Sequence, residues 1–154
     1  MAQRPTAPAA PALWGGLSPG CKVLVDTAPF IYMLEDHPVF APHFVGLFEA
    51  AAAASVQIAL SAITLAEVLT GPYRAGQAAL AQRFEKTLLT YEMVPVSAEI
   101  AVQAARMRAH YRLKLPDAIQ LATALDIGAE ALVTHDRDFA RVKGLTILRG
   151  PEPA

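Results

Sequence analysis

Residues 131–139 read "ALVTHDRDF": a short apolar run that stops at His135 and then sets Asp136 and Asp138 on either side of Arg137. The run is too short for a helix and continuously apolar, as expected of a strand covered on both faces. An acid at the exit of such a strand either faces solvent or does chemistry. Residues 22–26, "KVLVD", repeat the arrangement, with Asp26 directly after an apolar run.

Three further runs read as strands: "VQIAL" (56–60), "EMVPV" (92–96) and "LTIL" (145–148). The segments between them have helical length and composition, and strands alternating with helices predict a parallel sheet between helical layers. The expected fold class is α/β, a three-layer α/β/α sandwich around a parallel sheet of four to five strands. Ser61, Ser97 and Pro116 stand where helices should begin. Gly71-Pro72 is expected to close one helix and Gly128 another.

The chain has 154 residues, the size of one domain, and such a domain buries roughly 70% of its unfolded surface. Prolines and glycines break up the first twenty residues, which excludes the continuous apolar core of a signal peptide. We expect a disordered Pro/Ala-rich tail over 1–20 and a folded domain over 21–150. Cys21 is the only cysteine, so no internal disulfide is available, and a reducing cytoplasm is the expected compartment. The alanine-rich stretch "FEAAAASVQIAL" is too short for a membrane span and carries Glu49.

The net charge of -1 gives no overall sign of a polyanionic partner, but the two halves differ. Residues 1–105 carry five Lys/Arg against eight Asp/Glu, and residues 106–154 carry eight against six. The basic excess gathers in "RMRAHYRLK" (106–114), directly before "LPDAIQ". A run of this kind is commonly a solvated helix face, and it is also the feature an RNA backbone would engage.

Four acids stand out. Asp26 and Asp136 follow strands. Glu67 is the only ionisable residue of "AITLAEVL", and Asp117 opens "PDAIQLATAL", a helix of buried composition with a polar edge at Gln120 and Thr123. Each has a bland reading: a helix cap for Asp26, a polar stripe with Thr64 for Glu67, and a favourable helix-dipole contact of about 0.3–1 kcal/mol for Asp117. Together they fall on the edge where parallel sheets bind ligands, beyond the carboxyl ends of the strands. Like charges about 4 Å apart repel by about 4 kcal/mol at an effective dielectric of 20, so such a cluster calls for a cation. Oxygen ligands without paired histidines or cysteines favour Mg2+ or Mn2+ over zinc. Phosphodiester hydrolysis is the natural chemistry of such a site.

At these residues the chain resembles the PIN-domain family of metal-dependent ribonucleases, including VapC-like toxins of toxin–antitoxin pairs. "VLVDTAPFIYMLEDHP", "SAITLAEVL", "LPDAIQLATAL" and "VTHDRDFARVKGLTIL" look like the family's four acidic motifs, in order, across about Lys22 to Leu148. The resemblance implies a Mg2+ or Mn2+ site made by Asp26, Glu67, Asp117 and Asp136, with Thr134, Asp138 and Thr27 in support. It implies endoribonuclease activity on RNA, with Arg112, Lys114 and Arg137 as candidate RNA contacts. The expected partners are RNA and a small antitoxin protein; the 54% hydrophobic content adds an expected homodimer. The family often follows its first acid with two small hydroxyl residues, whereas here Thr27 precedes Ala28-Pro29. His135 reads as incidental beside a metal that activates water.

Other readings fare worse. A receiver-like domain expects paired acids at the first strand and a lysine ending the last, and a haloacid-type phosphatase expects Asp-x-Asp where this chain has Asp26-Thr27-Ala28. The remaining alternatives are a PIN nuclease that processes RNA outside any toxin pair, and a non-catalytic RNA-binding or protein-interaction module on the same fold.

Overall fold

A computed structural model describes Trp14 and residues 16–150. The elements run β1 (Cys21–Val25), α1 (Thr27–Leu34), α2 (Ala41–Ala52), β2 (Val56–Ser61), α3 (Ala62–Arg74), α4 (Ala78–Leu88), β3 (Glu92–Val94), α5 (Ala98–Tyr111), α6 (Leu115–Asp126), β4 (Ala131–Thr134), a 3-10 turn (Arg137–Arg141) and β5 (Thr146–Arg149). All the pairings are parallel, and the strand order is β3-β2-β1-β4-β5. The expected α/β sandwich is present, with its sheet at five strands.

The apolar strands earn their place by alternation. Val23 and Val25 of β1, Ile58 and Leu60 of β2, and Val133 of β4 face one layer, where Phe30, Phe44, Leu47, Val68 and Leu88 of α1 to α4 cover them. Leu24, Ala59 and Leu132 point the other way, against Ile100, Ala104, Leu121 and Phe139. A period of two with both faces covered is why the buried stretches of β1, β2 and β4 are almost continuously apolar. Each large aliphatic side chain buried this way contributes about 1.5–3 kcal/mol.

Several helix ends match the sequence reading. The Ser61 and Ser97 hydroxyls accept from the amides of Ile63 (3.2 Å) and Ile100 (3.1 Å). Gly128, at φ 64°, follows the last turn of α6. Gly71-Pro72 does not close a helix. Helix α3 continues through both to Arg74 because Pro72 is buried within it, and Gly76, at φ 71°, supplies the left-handed residue just beyond its end. The expected strand 92–96 ends at Val94, since Pro95 has no amide to donate to the ladder.

Most of residues 1–20 lies outside the described residues. Of those described, Trp14 is 7% exposed with its ring 6.1 Å from Phe44, and the Ser18 hydroxyl donates to Glu130 at 2.9 Å. These residues pack on the domain rather than trailing from it. Phe44 is fully buried, and a Cβ added at Gly150 would lie 2.7 Å from its ring, so Trp14 and Gly150 both lie against this side chain.

Phe44→Ala should therefore lower unfolding free energy by about 3–5 kcal/mol. Urea titration followed by far-UV circular dichroism checks this, and a loss below about 1 kcal/mol would mean the aromatic contacts carry little of the fold.

Candidate active site

Strand order reverses at β1: the chain moves outward through β2 and β3, then returns to place β4 on β1's other side. The crevice beyond the ends of β1 and β4 is the position such sheets use for ligands. Asp26 leaves β1 there. Its amide donates to the Val133 carbonyl at 2.8 Å, tying the two strand ends together. One carboxylate oxygen accepts from the Thr27 amide and the other from the Thr134 hydroxyl, both at 2.7 Å. Asp26 thus caps α1 and also sits 8% exposed at the base of the crevice, so the cap reading and the site reading hold together. Burial raises its pKa, the two hydrogen bonds oppose the rise, and the charges of Glu67 and Asp136 add to it.

Thr134 serves two acids. Besides donating to Asp26, its hydroxyl oxygen accepts from the Asp136 amide at 3.0 Å, which fixes the turn after β4. The Asp136 carboxylate in turn accepts from the Asp138 amide at 2.8 Å, capping the 3-10 turn that buried Phe139 anchors. Asp117 arrives from the first turn of α6 with its Oδ2 buried and without a hydrogen-bond partner. Its pKa is pushed up to about 7, by burial first and then by the charges of Asp136, Asp26 and Asp138, against the opposing charge of Lys114. Glu67 is exposed, and its Oε1 accepts from the Thr27 hydroxyl at 2.9 Å.

The four acids singled out in the sequence, Asp26, Glu67, Asp117 and Asp136, line one pocket of about 540 Å3 together with Thr27 and Arg137. Carboxylate oxygens of Asp117, Asp136 and Asp138 approach within 4.8 Å of one another, so Asp138 belongs with the acids more closely than a supporting place suggested. The donor set fits a hard divalent cation: all ligand atoms are oxygen, one buried carboxylate oxygen has no partner, and a shared positive charge would relieve the repulsion.

Arg112 and Lys114 lie outside this pocket wall. Arg112 ends α5 in the left-handed conformation at φ 56°, and Lys114 occupies the position before α6; both are exposed. His135 does line the pocket, but its Nδ1 is within 2.9 Å of the Tyr32 hydroxyl and its ring meets Phe40 edge-on at 4.9 Å. The wall formed by Ala28, Ile31 and Tyr32 of α1 was not foreseen in the sequence. Their i, i+3, i+4 spacing was its only trace.

An acidic crevice at the switch point of a parallel α/β/α domain defines the class of protein. Within that class, the PIN domain profile matches residues 23–145, and the chain belongs to the PIN-domain family. Solved structures with the same fold include proteins of toxin–antitoxin systems. A toxin–antitoxin complex from Klebsiella pneumoniae shares 33% identity at a TM-score of 0.66, covering 80% of this chain and 95% of that one. VapBC2 from Rickettsia felis, bound to a promoter DNA fragment, gives 21% identity and a TM-score of 0.70, covering 84% and 99%. VapC20 from Mycobacterium tuberculosis, a toxin that cleaves the sarcin-ricin loop, gives 19% and 0.64, covering 84% and 99%. No curated protein matches the chain.

The pH dependence of the metal-free protein follows from Asp117. Its folded pKa, about 7, lies above the unfolded value of about 4, so its contribution to stability is complete below pH 4 and lost as pH rises through 7. In EDTA the melting temperature should fall between pH 4 and pH 7, and Asp117→Asn should flatten that fall and melt at or above wild type at pH 8. A thermal melt series on both proteins tests this; a variant that melts clearly lower at pH 8 contradicts the repulsion.

Proposed function

We propose that this protein is a Mg2+- or Mn2+-dependent endoribonuclease that acts as the toxin of a toxin–antitoxin pair. The observation that carries the proposal is the convergence of Asp26, Glu67, Asp117 and Asp136 from four separate elements into one pocket. Those four acids, with Asp138, would hold the ion. A bound divalent cation at such a site polarises a phosphoryl oxygen and lowers the pKa of its water.

The chain's own residues do the positioning. Thr134 holds Asp26 and the Asp136 backbone in fixed register, and the Thr27 amide holds Asp26's other oxygen. Thr27's hydroxyl sets Glu67. Arg137, on the pocket wall, would meet a phosphate, while exposed Arg112 and Lys114 would extend positive charge beyond it along an RNA backbone. On this reading a nucleic acid would lie across the carboxyl edge of the sheet rather than on its faces, because helices cover both.

The toxin reading draws on the 33% identical chain of the Klebsiella toxin–antitoxin complex. A small antitoxin protein is the corresponding partner here, and a homodimer the assembly. Val102 and Leu125, exposed on α5 and α6, offer apolar surface for such contacts. Among the described residues no helix is long and apolar enough to cross a membrane. A reducing cytoplasm suits the lone cysteine.

Purified protein should cleave labelled RNA when Mn2+ is added and stop when EDTA is added. Asp117→Asn should lower the rate by at least about 100-fold, equivalent to about 2.7 kcal/mol of transition-state stabilisation. Equal cleavage by the variant, with contaminating nuclease excluded, refutes the assignment. No cleavage by either protein on any RNA, with intact binding, favours the non-catalytic module.

Light scattering at micromolar concentration should give twice the 16.4 kDa chain mass. A monomer removes the homodimer without touching the nuclease reading.

A further inference from the structure

Gln120 is fully buried on α6, one turn after Asp117 and on the same side of the helix. Its Nε2 donates to the Thr64 hydroxyl at 2.7 Å. Thr64, also fully buried, lies 3.2 Å from the Thr27 hydroxyl, and Thr27 donates to Glu67 at 2.9 Å. We propose that Gln120, Thr64 and Thr27 form a one-way hydrogen-bond relay that positions Glu67 for the metal; this rests on the reading of the pocket as a metal site.

The direction follows from proton count. An ionised carboxylate only accepts, so Thr27's single hydroxyl proton goes to Glu67. Between the two threonines the proton must then come from Thr64, whose oxygen is free to accept from the Gln120 amide. The opposite amide orientation would turn Thr64's proton toward Gln120 and leave two threonine oxygens facing each other with no proton between them. Only an amide nitrogen at this position keeps every link in order.

The relay explains two features that stability does not. Glu67 is exposed and long, and an unrestrained glutamate samples many rotamers; fixing it before the ion arrives removes that entropy from binding. Gln120 Oε1 is buried without a partner among the described residues, a cost that packing alone does not call for at this position. A buried amide at the head of a chain of hydrogen bonds that ends on Glu67 acts on the site. It never reaches the pocket itself and is a positioning residue.

The test measures Mn2+ affinity by titration calorimetry, with melting temperature in EDTA beside it. Gln120→Leu and Thr27→Val should each weaken Mn2+ binding by about 10-fold, the lower end expected when outer partners of metal ligands are lost. Gln120→Leu should melt in EDTA at or above wild type, which separates weaker binding from a damaged fold. The two act in series, so the double variant should bind within about 2-fold of the weaker single rather than multiply the losses. Thr27→Ser, which keeps the hydroxyl, should bind within about 2-fold of wild type. Multiplicative losses, or Mn2+ affinity unchanged in Gln120→Leu or in Thr27→Val, overturn the relay. Asp117→Asn is the control: if it abolishes Mn2+ binding while Gln120→Leu does not weaken it, the relay alone fails, and if wild type binds no Mn2+, the metal site and the relay fall together.

Discussion

The site depends on one junction, where the Asp26 amide meets the Val133 carbonyl and the Thr134 hydroxyl meets the Asp26 carboxylate. Parallel pairing of β1 with β4 brings these groups together, although more than a hundred residues separate them in the chain. Thr134 then reaches Asp136 as well, so one buried hydroxyl sets the spacing of two acids. Without that junction the other carboxylates would have nothing to converge on.

Convergence creates a conflict that the fold does not remove. Burial disfavours a charged Asp26, and burial first, then the charges of Asp136, Asp26 and Asp138, push the Asp117 pKa up to about 7. The surrounding architecture supports this arrangement from two sides. The aromatic group of Tyr32, Phe40, Phe44 and His135 packs beneath one flank of the crevice. The small residues Ala118, Ala122 and Ala124 keep α6 packed against the other side of the sheet and bring Asp117 to the crevice. On the proposed metal reading, a bound cation would convert that repulsion into affinity, which is how a marginally stable domain could keep such a site.

Much of this was legible in the chain. The five strands were found because strands covered on both faces are mostly continuously apolar, and a run such as "KVLVD" or "ALVT" leaves few alternatives. The exits of those strands marked Asp26 and Asp136, and the mainly apolar company of Glu67 and Asp117 marked the other two. Gly71-Pro72 misled, because breaker residues speak for local preference while Pro72 is held inside α3 by burial. Trp14 was assigned to a tail on the evidence of its proline-rich surroundings, yet it finds Phe44. No local signal points to a contact of that kind.

Gln120 and Asp138 mark the boundary between the two sources of information. Periodicity and residue type determined the strands, the layers and the edge of the sheet at which acids would gather, because these follow from which faces of each element must leave water. Which acids come within ligand distance, and which buried polar group steadies them, was decided only when α3, α6 and the β4 turn closed on one another. Hydrogen bonds such as Gln120 to Thr64 join residues 56 positions apart, and their length and direction come from packing geometry that no single segment carries.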